Sequence, residues 1–195
     1  MRPLDPFKRE KILKSVYALT GRQGLASVNI SGISKIAGVA AGTLYIYFKN
    51  KEEVVQSAYA AVEDKMTQAM YQDFDINLPV KESFKKIYIN MLNYRLKNYD
   101  ETIFIDQYQQ SGYIQLNFSK QLAEYEMQNK PLYDLLEKGQ QEGIIKELDA
   151  IMLISFFDGA VRSCSTGIIQ KLFPLSQKLV DDYFDMIWRG MNKQF

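Results

Sequence analysis

The sequence contains no histidine and only one cysteine, Cys164. The absence of histidine removes the commonest general base and the commonest transition-metal ligand. A single cysteine excludes an intramolecular disulfide and any zinc site built on several cysteines. The chain also has no glycine-rich phosphate loop and no paired metal-binding carboxylates. We therefore expect a protein that is not an enzyme and that uses no cofactor and no metal.

Long apolar segments are also missing. The most apolar stretch, residues 150–157, ends at Asp158 and is much shorter than the ~18 residues that a membrane span requires. The first ten residues include five charged side chains and lack the apolar segment of a signal peptide. We expect a cytoplasmic protein that has no membrane partner.

The net charge of +1 conceals a strong asymmetry along the chain. Residues 1–51 contain nine lysines and arginines but only two acids, which gives this segment a charge of +7. The remaining residues contain 15 basic and 21 acidic side chains, a charge of −6. A cationic segment attracts nucleic-acid phosphates through counterion release. The alternative is a solvated surface whose charges have no partner.

Apolar residues recur at helical spacing from Phe7 to the end of the chain, and no sustained alternation competes with this pattern. The sequence therefore predicts an all-α fold. A break at residues 73–79, which ends in Pro79, separates the basic segment and the helix that follows it from the remainder. The predicted helices cover about 5–22, 30–37, 41–48, 50–71, 80–97, 100–110, 113–127, 131 to between 139 and 143, 150–172, and 176–191.

Residues 38–53 carry the most specific signal in the chain. Gly38 suits the left-handed end of the second helix, and the short helix after it has Leu44 and Phe48 four positions apart, so that both can face a core. Thr43 and the two neighbouring tyrosines then point elsewhere and can reach phosphates or base edges. This pattern predicts the recognition helix of a helix-turn-helix.

Together with Gly24 and Ile33, the segment from Gly42 to Glu53 resembles the DNA-binding domain of the TetR/AcrR family of bacterial transcriptional regulators. The resemblance is close over about the first 55 residues. Two positions depart from the family pattern, because Ser34 stands where alanine is usual and Ala40 where a serine cap is usual. The resemblance implies a helix-turn-helix domain over residues 1–50 and a helical regulatory and dimerisation domain over residues 51–195, beginning with a connecting helix at 51–72.

Several residues of the basic segment are candidates for DNA contact. Thr43 has little value for packing and is the best candidate for a base contact, whereas the tyrosine rings can instead be partly buried. An ammonium at the start of the fourth helix, from Lys51, favours an external anion there. The candidate DNA-binding residues are Asn29, Ser31, Lys35, Ala41, Gly42, Thr43, Tyr45, Tyr47 and Lys51.

The resemblance also implies a homodimer. The penultimate helix places four small residues four positions apart, a stripe that lets another helix approach closely, and the last helix carries large aromatic residues. The alternative is that these residues form the core of a single chain. The candidate interface residues are Ser155, Gly159, Ser163, Gly167, Phe184 and Trp188.

A small-molecule pocket in the regulatory domain is likewise implied by the resemblance. Aromatic and methionine side chains are dense in the central helices, and such adaptable walls suit a planar or amphipathic ligand. Ordinary core packing is the alternative for each of them. The candidate ligand-binding residues are Tyr88, Met91, Arg95, Phe104, Tyr108, Phe118, Tyr125 and Phe156.

The sequence thus favours a ligand-responsive transcriptional regulator that binds a double-stranded DNA operator as a homodimer. We expect a repressor that a small hydrophobic or amphipathic inducer releases from the operator through movement of the fourth helix. The alternative is a ligand-independent DNA-binding protein of the same architecture.

Overall fold

The structure, a computed structural model, describes residues 5–113 and 125–194 of the chain. Regular secondary structure in these residues is helical, with one isolated β-bridge between Ile145 and Asn192, which confirms the all-α prediction. The helices are α1 (Pro6–Gln23), a 3₁₀ turn (Leu25–Ser27), α2 (Ile30–Ala37), α3 (Ala41–Tyr47), α4 (Lys51–Met70), α5 (Val80–Lys97), α6 (Tyr99–Gln109), α7 (Lys130–Gln141), α8 (Ala150–Ile169) and α9 (Gln177–Met191). None of the helices in the described ranges is long and apolar enough to cross a membrane.

The chain forms two compact units. Among the described residues, the first unit contains 5–65 and 98–113, and the second contains 66–97 and 125–194. The first unit therefore includes all of α6 and most of α4, and its limits differ from the boundary at residue 50 that the sequence indicated. The physical reason is that α6 packs against α1, a long-range contact that local sequence signals do not report.

Side-chain caps fix the ends of the first two helices. The carboxylate of Asp5 accepts a hydrogen bond from the Phe7 N–H at 2.9 Å, and the carboxamide oxygen of Asn29 accepts one from the Gly32 N–H at 2.9 Å. Each cap satisfies a backbone donor that the helix itself leaves free. Gly38 ends α2 with φ of 67°, a left-handed conformation that glycine adopts without strain.

A reciprocal cap begins α4. The Glu53 N–H donates to the Asn50 side chain at 2.8 Å, and the Glu53 carboxylate accepts from the Lys49 N–H at 2.5 Å. This arrangement agrees with the capping signal that Asn50 and Glu53 give in the sequence. By contrast, α3 starts after Ala40 without any side-chain cap, as the residue type requires.

The core of the first unit joins α1, α2 and α3 to α6. The Phe104 ring lies 5.2 Å from the Tyr17 ring between centroids, and the Gln107 side-chain oxygen accepts from the Leu25 N–H at 2.7 Å. The Ser34 hydroxyl is buried here and has no hydrogen-bond partner among the described residues. Because such a group loses its hydration, it costs about 1–3 kcal/mol, a cost that the family's usual alanine avoids.

The core of the second unit is rich in aromatic residues from α5, α8 and α9. The Phe84 ring meets the Phe157 ring edge to face at 5.7 Å, and the Phe184 and Trp188 rings stack at 6.4 Å. All four side chains are buried. Each such pair contributes about 0.5–1.5 kcal/mol beyond the area that it buries, so these rings hold the three helices together.

Candidate functional sites

The short helix α3 is divided into a buried side and an exposed side. Leu44 is fully buried and Phe48 is 3% exposed, whereas Tyr45 and Ile46 are 56% and 64% exposed. A side chain added at Gly42 would meet no other atom within 4 Å. Two apolar anchors therefore hold α3 on the core of the first unit while its outer side stays open.

Tyr47 has a structural role on this helix. Its hydroxyl accepts a hydrogen bond from the Asp5 N–H at 3.1 Å, and the side chain is half-buried. The bond links the end of α3 to the start of α1. Tyr47 therefore packs as the sequence allowed, and its contact with DNA stays a prediction.

The candidate residues of α2 divide in the same way. Asn29 caps the helix and also donates from its amide to the Ser27 carbonyl at 3.0 Å, so its carboxamide is used locally. Ser31 and Lys35 lie exposed on α2. These two side chains are therefore open to solvent, and their contact with DNA stays a prediction.

Basic residues surround the turn between α3 and α4. Lys49 is exposed, and Lys51 is partly exposed at the first position of α4. The Arg9 guanidinium lies over the Phe48 ring at 5.5 Å from its centroid, a cation–π contact that orients the charge. An anionic backbone bound at this edge would meet several cations.

Ile46 is the residue of this surface that the sequence interpretation missed. A large aliphatic side chain that is 64% exposed on a seven-residue helix contributes nothing to the core. It can make an apolar contact with a thymine methyl group in the major groove. The signal was present in the spacing, because Ile46 lies two positions from both Leu44 and Phe48 and so points away from them.

Two predicted ligand-binding residues belong to the first unit. Phe104 is fully buried against Tyr17, and Tyr108 stacks on Tyr59 at 4.1 Å between ring centroids. Both rings form the contact of α6 with α1 and α4, so the expectation that they line a pocket in the regulatory domain is corrected. Phe118 lies outside the described residues.

Three further candidates lie on α5 in the second unit. Tyr88 is buried and donates to the Val180 carbonyl at 3.1 Å. Arg95 is 5% exposed, and its Nε donates to the Ser165 hydroxyl at 2.7 Å. Met91 is also buried. Burying an arginine among apolar helices costs free energy unless its hydrogen bonds are made. Apolar packing of the second unit therefore does not by itself explain why an arginine stands at this position.

A carboxylate that the sequence interpretation did not select lies in the same unit. The Tyr125 hydroxyl donates to Asp158 at 3.1 Å. Burial raises the pKa of Asp158 from 3.8 to about 6, against the opposing effects of the Tyr125 hydrogen bond and of the Arg162 and Arg95 charges. The sequence feature that could have identified Asp158 is its position, as an acidic residue, at the end of the apolar run 150–157. Tyr125 therefore belongs to a polar group of the second unit, and its contact with a ligand stays a prediction.

The outer side of α8 carries part of the predicted dimer stripe. Ser155, Gly159 and Ser163 are exposed, and a side chain added at Gly159 would meet no atom within 4 Å. Phe156 is 46% exposed and covers Gly190. Phe156 was expected to bind ligand, but it lies on this open surface.

Three predicted interface residues are instead buried within the chain. Phe184 and Trp188 are 1% and 6% exposed in the core of the second unit, and a side chain at Gly167 would collide with the Phe173 ring. Their burial in a single chain leaves little surface for a partner, which corrects the sequence-based expectation for them. The apolar residues that are exposed on α8 and α9 are Ile151, Met152, Phe156 and Met186.

Known protein families match nearly the whole chain. Residues 12–58 match the family described as bacterial regulatory proteins, tetR family, and residues 59–193 match the tetracyclin repressor-like C-terminal domain. An HTH-type transcriptional regulator of Haemophilus influenzae is 25% identical over 195 residues, which are 99% of this chain and 100% of that protein. A fatty acid metabolism regulator of Bacillus subtilis is 32% identical over 75 residues, 38% of this chain and 39% of that protein.

Solved structures show the same fold. The crystal structure of a TetR family transcription regulator from Marinobacter aquaeolei VT8 has a TM-score of 0.88 at 21% identity, covering 98% of this chain and 99% of that one. FadR from Bacillus subtilis in complex with stearoyl-CoA has a TM-score of 0.76 at 22% identity, covering 93% and 98%.

The open side of α3 and the start of α4 give a prediction for DNA binding. Lys51→Ala should lower the salt dependence of operator binding by about one unit per half-site, because one phosphate contact is lost. Ile46→Ala should reduce the preference for the base pair that it contacts about fivefold and leave the salt dependence unchanged. Fluorescence anisotropy at several salt concentrations measures both. Lys178→Ala, on α9, is the control, and an equal loss in that variant would contradict the assignment.

Asp158 gives a prediction for stability against pH. Because its pKa is raised in the folded protein, the ionised carboxyl destabilises the fold, and this loss grows as the pH rises from about 4 to above 6. Asp158→Asn should therefore gain about 2–3 kcal/mol relative to wild type between pH 4 and pH 7. Tyr125→Phe removes a bond that lowers the pKa, so it should move the transition to higher pH. Urea unfolding at each pH measures both, and a difference between Asp158→Asn and wild type that does not change with pH would refute the prediction.

Proposed function

This chain belongs to the TetR family of bacterial transcriptional regulators, and on that premise we propose that it is a repressor. A small hydrophobic or amphipathic inducer releases the proposed repressor from its operator. It regulates transcription by binding DNA. The observation that carries the proposal is the open side of α3, where Tyr45 and Ile46 stay exposed while Leu44 is fully buried. The charge of +7 on residues 1–51 supports the same conclusion.

The proposed operator is a near-palindrome. One recognition helix per chain reads few base pairs, whereas two chains related by a twofold axis place two such helices in successive major grooves, about 34 Å apart. Operator symmetry then follows from protein symmetry. The proposed regulator acts in the cytoplasm, where the chromosome is accessible.

The proposed dimer forms through the outer side of α8 and the neighbouring side of α9. Met152, Phe156 and Met186 are 59%, 46% and 66% exposed, and the small residues Ser155, Gly159 and Ser163 lie among them on α8. Exposed apolar side chains around an open glycine suit close helix–helix packing with a second copy. This surface replaces the part of the predicted stripe that the fold buries.

Assembly is tested by a pair of glycine variants. Gly159→Glu fits a single chain, because nothing lies within 4 Å of the added side chain, but it buries a carboxylate in the dimer and should raise the dimer dissociation constant ~100-fold or more. Gly167→Ala instead collides with Phe173 and should lower the melting temperature. Sedimentation velocity and circular dichroism measure these two effects. A wild-type monomer at micromolar concentration would rule out the dimer.

The proposed inducer binds in the second unit. Arg95 is buried among apolar residues of α5, and the pair of Tyr125 with Asp158 adds a second polar group there. An amphipathic molecule needs one polar group for its head and apolar walls for its tail. This class of ligand is supported by a relative from Bacillus subtilis that is named as a fatty acid metabolism regulator, and by the structure of FadR from the same organism in complex with stearoyl-CoA.

Coupling is proposed to pass through α4. This helix is continuous from Lys51, beside α3 in the first unit, to Met70 in the second. A ligand that favours one position of α4 by about 1–3 kcal/mol changes operator affinity by one to two decades. The effect requires unequal affinity for the two states.

Induction is tested with defined probes. Stearate, stearoyl-CoA and a panel of planar hydrophobic compounds are screened for thermal stabilisation, and an inducer present at 100 times its Kd should add about 2.7 kcal/mol of stability, a shift of about 5 °C or more. The same compound should weaken binding to an operator found by genomic footprinting tenfold or more. A stabilising compound that leaves operator affinity unchanged, or a panel without any stabilising compound, would refute induction and favour the ligand-independent alternative.

A further inference from the structure

A cleft of about 680 Å³ opens within the first unit. It is bounded by the 3₁₀ turn, the start of α4, and the end of α6 with the turn that follows, and Leu25, Gln56, Gln107, Gln110 and Tyr113 contribute to its lining. The volume lies inside the range of small-molecule sites in proteins. No residue proposed to contact the inducer takes part in it, so the cleft is a separate feature of the DNA-binding unit.

Three carboxamides give this cleft its chemical character. The Gln107 oxygen is engaged by the Leu25 N–H at 2.7 Å. The carboxamides of Gln56 and Gln110 form no hydrogen bond within the part of the chain that the structure describes, and both side chains are exposed. A carboxamide presents a donor and an acceptor on one edge. Among the described residues, the cleft therefore offers paired donors and acceptors that no protein group occupies.

Apart from Ser111, whose hydroxyl donates to the Tyr108 carbonyl at 2.6 Å, the remaining lining is apolar or balanced in charge. Tyr113 stacks on Tyr108 at 5.5 Å between ring centroids, and Tyr108 stacks on Tyr59 at 4.1 Å, so the Tyr113 ring is held in place before any ligand arrives. The two charged residues of the lining, Lys51 and Glu52, have opposite signs. A site of this kind selects neither anions nor cations and favours the binding of a flat molecule.

We propose that this cleft binds a neutral planar heteroaromatic compound with a lactam-type edge. Its ring packs against Tyr113 and Leu25, and its adjacent N–H and C=O groups pair with the carboxamide of Gln110, beside that of Gln56. The occupant would cover Lys51 and contact the turn that Gln107 holds at Leu25. It would therefore weaken DNA binding from inside the first unit, without the relay through α4 on which the proposed inducer depends.

The experiment uses quinazolin-4-one as the probe with the full-length protein. Titration is followed by ¹H–¹⁵N correlation spectra, in which the backbone amide of Leu25 and the side-chain amides of Gln56 and Gln110 are the reporters. We expect saturable shifts at these positions with a Kd on the order of 1 mM, as suits a ligand of this size. Shifts that are absent at saturating probe, or that map only to the second unit, would overturn the proposal.

Two variants separate this cleft from other binding. Gln110→Leu keeps the side-chain volume and removes the paired edge, and it should weaken the probe at least fivefold. Gly112→Phe adds a ring at a lining position where nothing lies within 4 Å, and it should block the cleft. Gln72→Leu, an exposed glutamine of the second unit, is the matched control. If Gln110→Leu and Gln72→Leu bind the probe equally, the assignment is wrong, even where Gly112→Phe fails to fold.

Discussion

The packing of α6 on α1 is the contact on which the first unit depends. The Phe104 ring lies 5.2 Å from the Tyr17 ring, and Tyr17 in turn donates from its hydroxyl to the Ala58 carbonyl of α4 at 3.0 Å. Three helices thus meet at one buried tyrosine. The Gln107 oxygen then fixes the 3₁₀ turn through Leu25. Because α3 rests on α1 and α2, the position of the recognition helix is set by residues of α6 that lie outside the helix-turn-helix.

The helix ends were predictable because local chemistry decides them. Asn29 and Gly38 bound α2, and Asn50 with Glu53 begins α4, each through bonds that span three or four residues. The membership of α6 in the first unit was not predictable in this way. Periodicity shows that Phe104 is buried, but it does not show that the ring meets Tyr17 and not a residue of the regulatory domain.

The same distinction holds for the sites. The sequence correctly indicated an outward side for α3, because Leu44 and Phe48 fix its orientation. It could not decide whether Trp188 meets a second copy or its own chain, since both surfaces are apolar and both select large aromatic residues. The structure shows that Trp188 is buried in its own chain, whereas Met152 and Met186 are exposed. Asp158 was missed because a lone carboxylate in an apolar helix has no spacing pattern to mark it.

The discontinuity of the first unit has a consequence for synthesis on the ribosome. Residues 98–113, which complete this unit, follow the second-unit segment 66–97 in the chain. The helix-turn-helix is translated first but cannot bury Tyr17 and Leu25 against α6 until more than a hundred residues have been made. At about 5–20 residues per second this delay lasts several seconds. A nascent chain of this regulator therefore exposes apolar surface on its DNA-binding part for that time. The apolar surface available to a chaperone is largest during this interval.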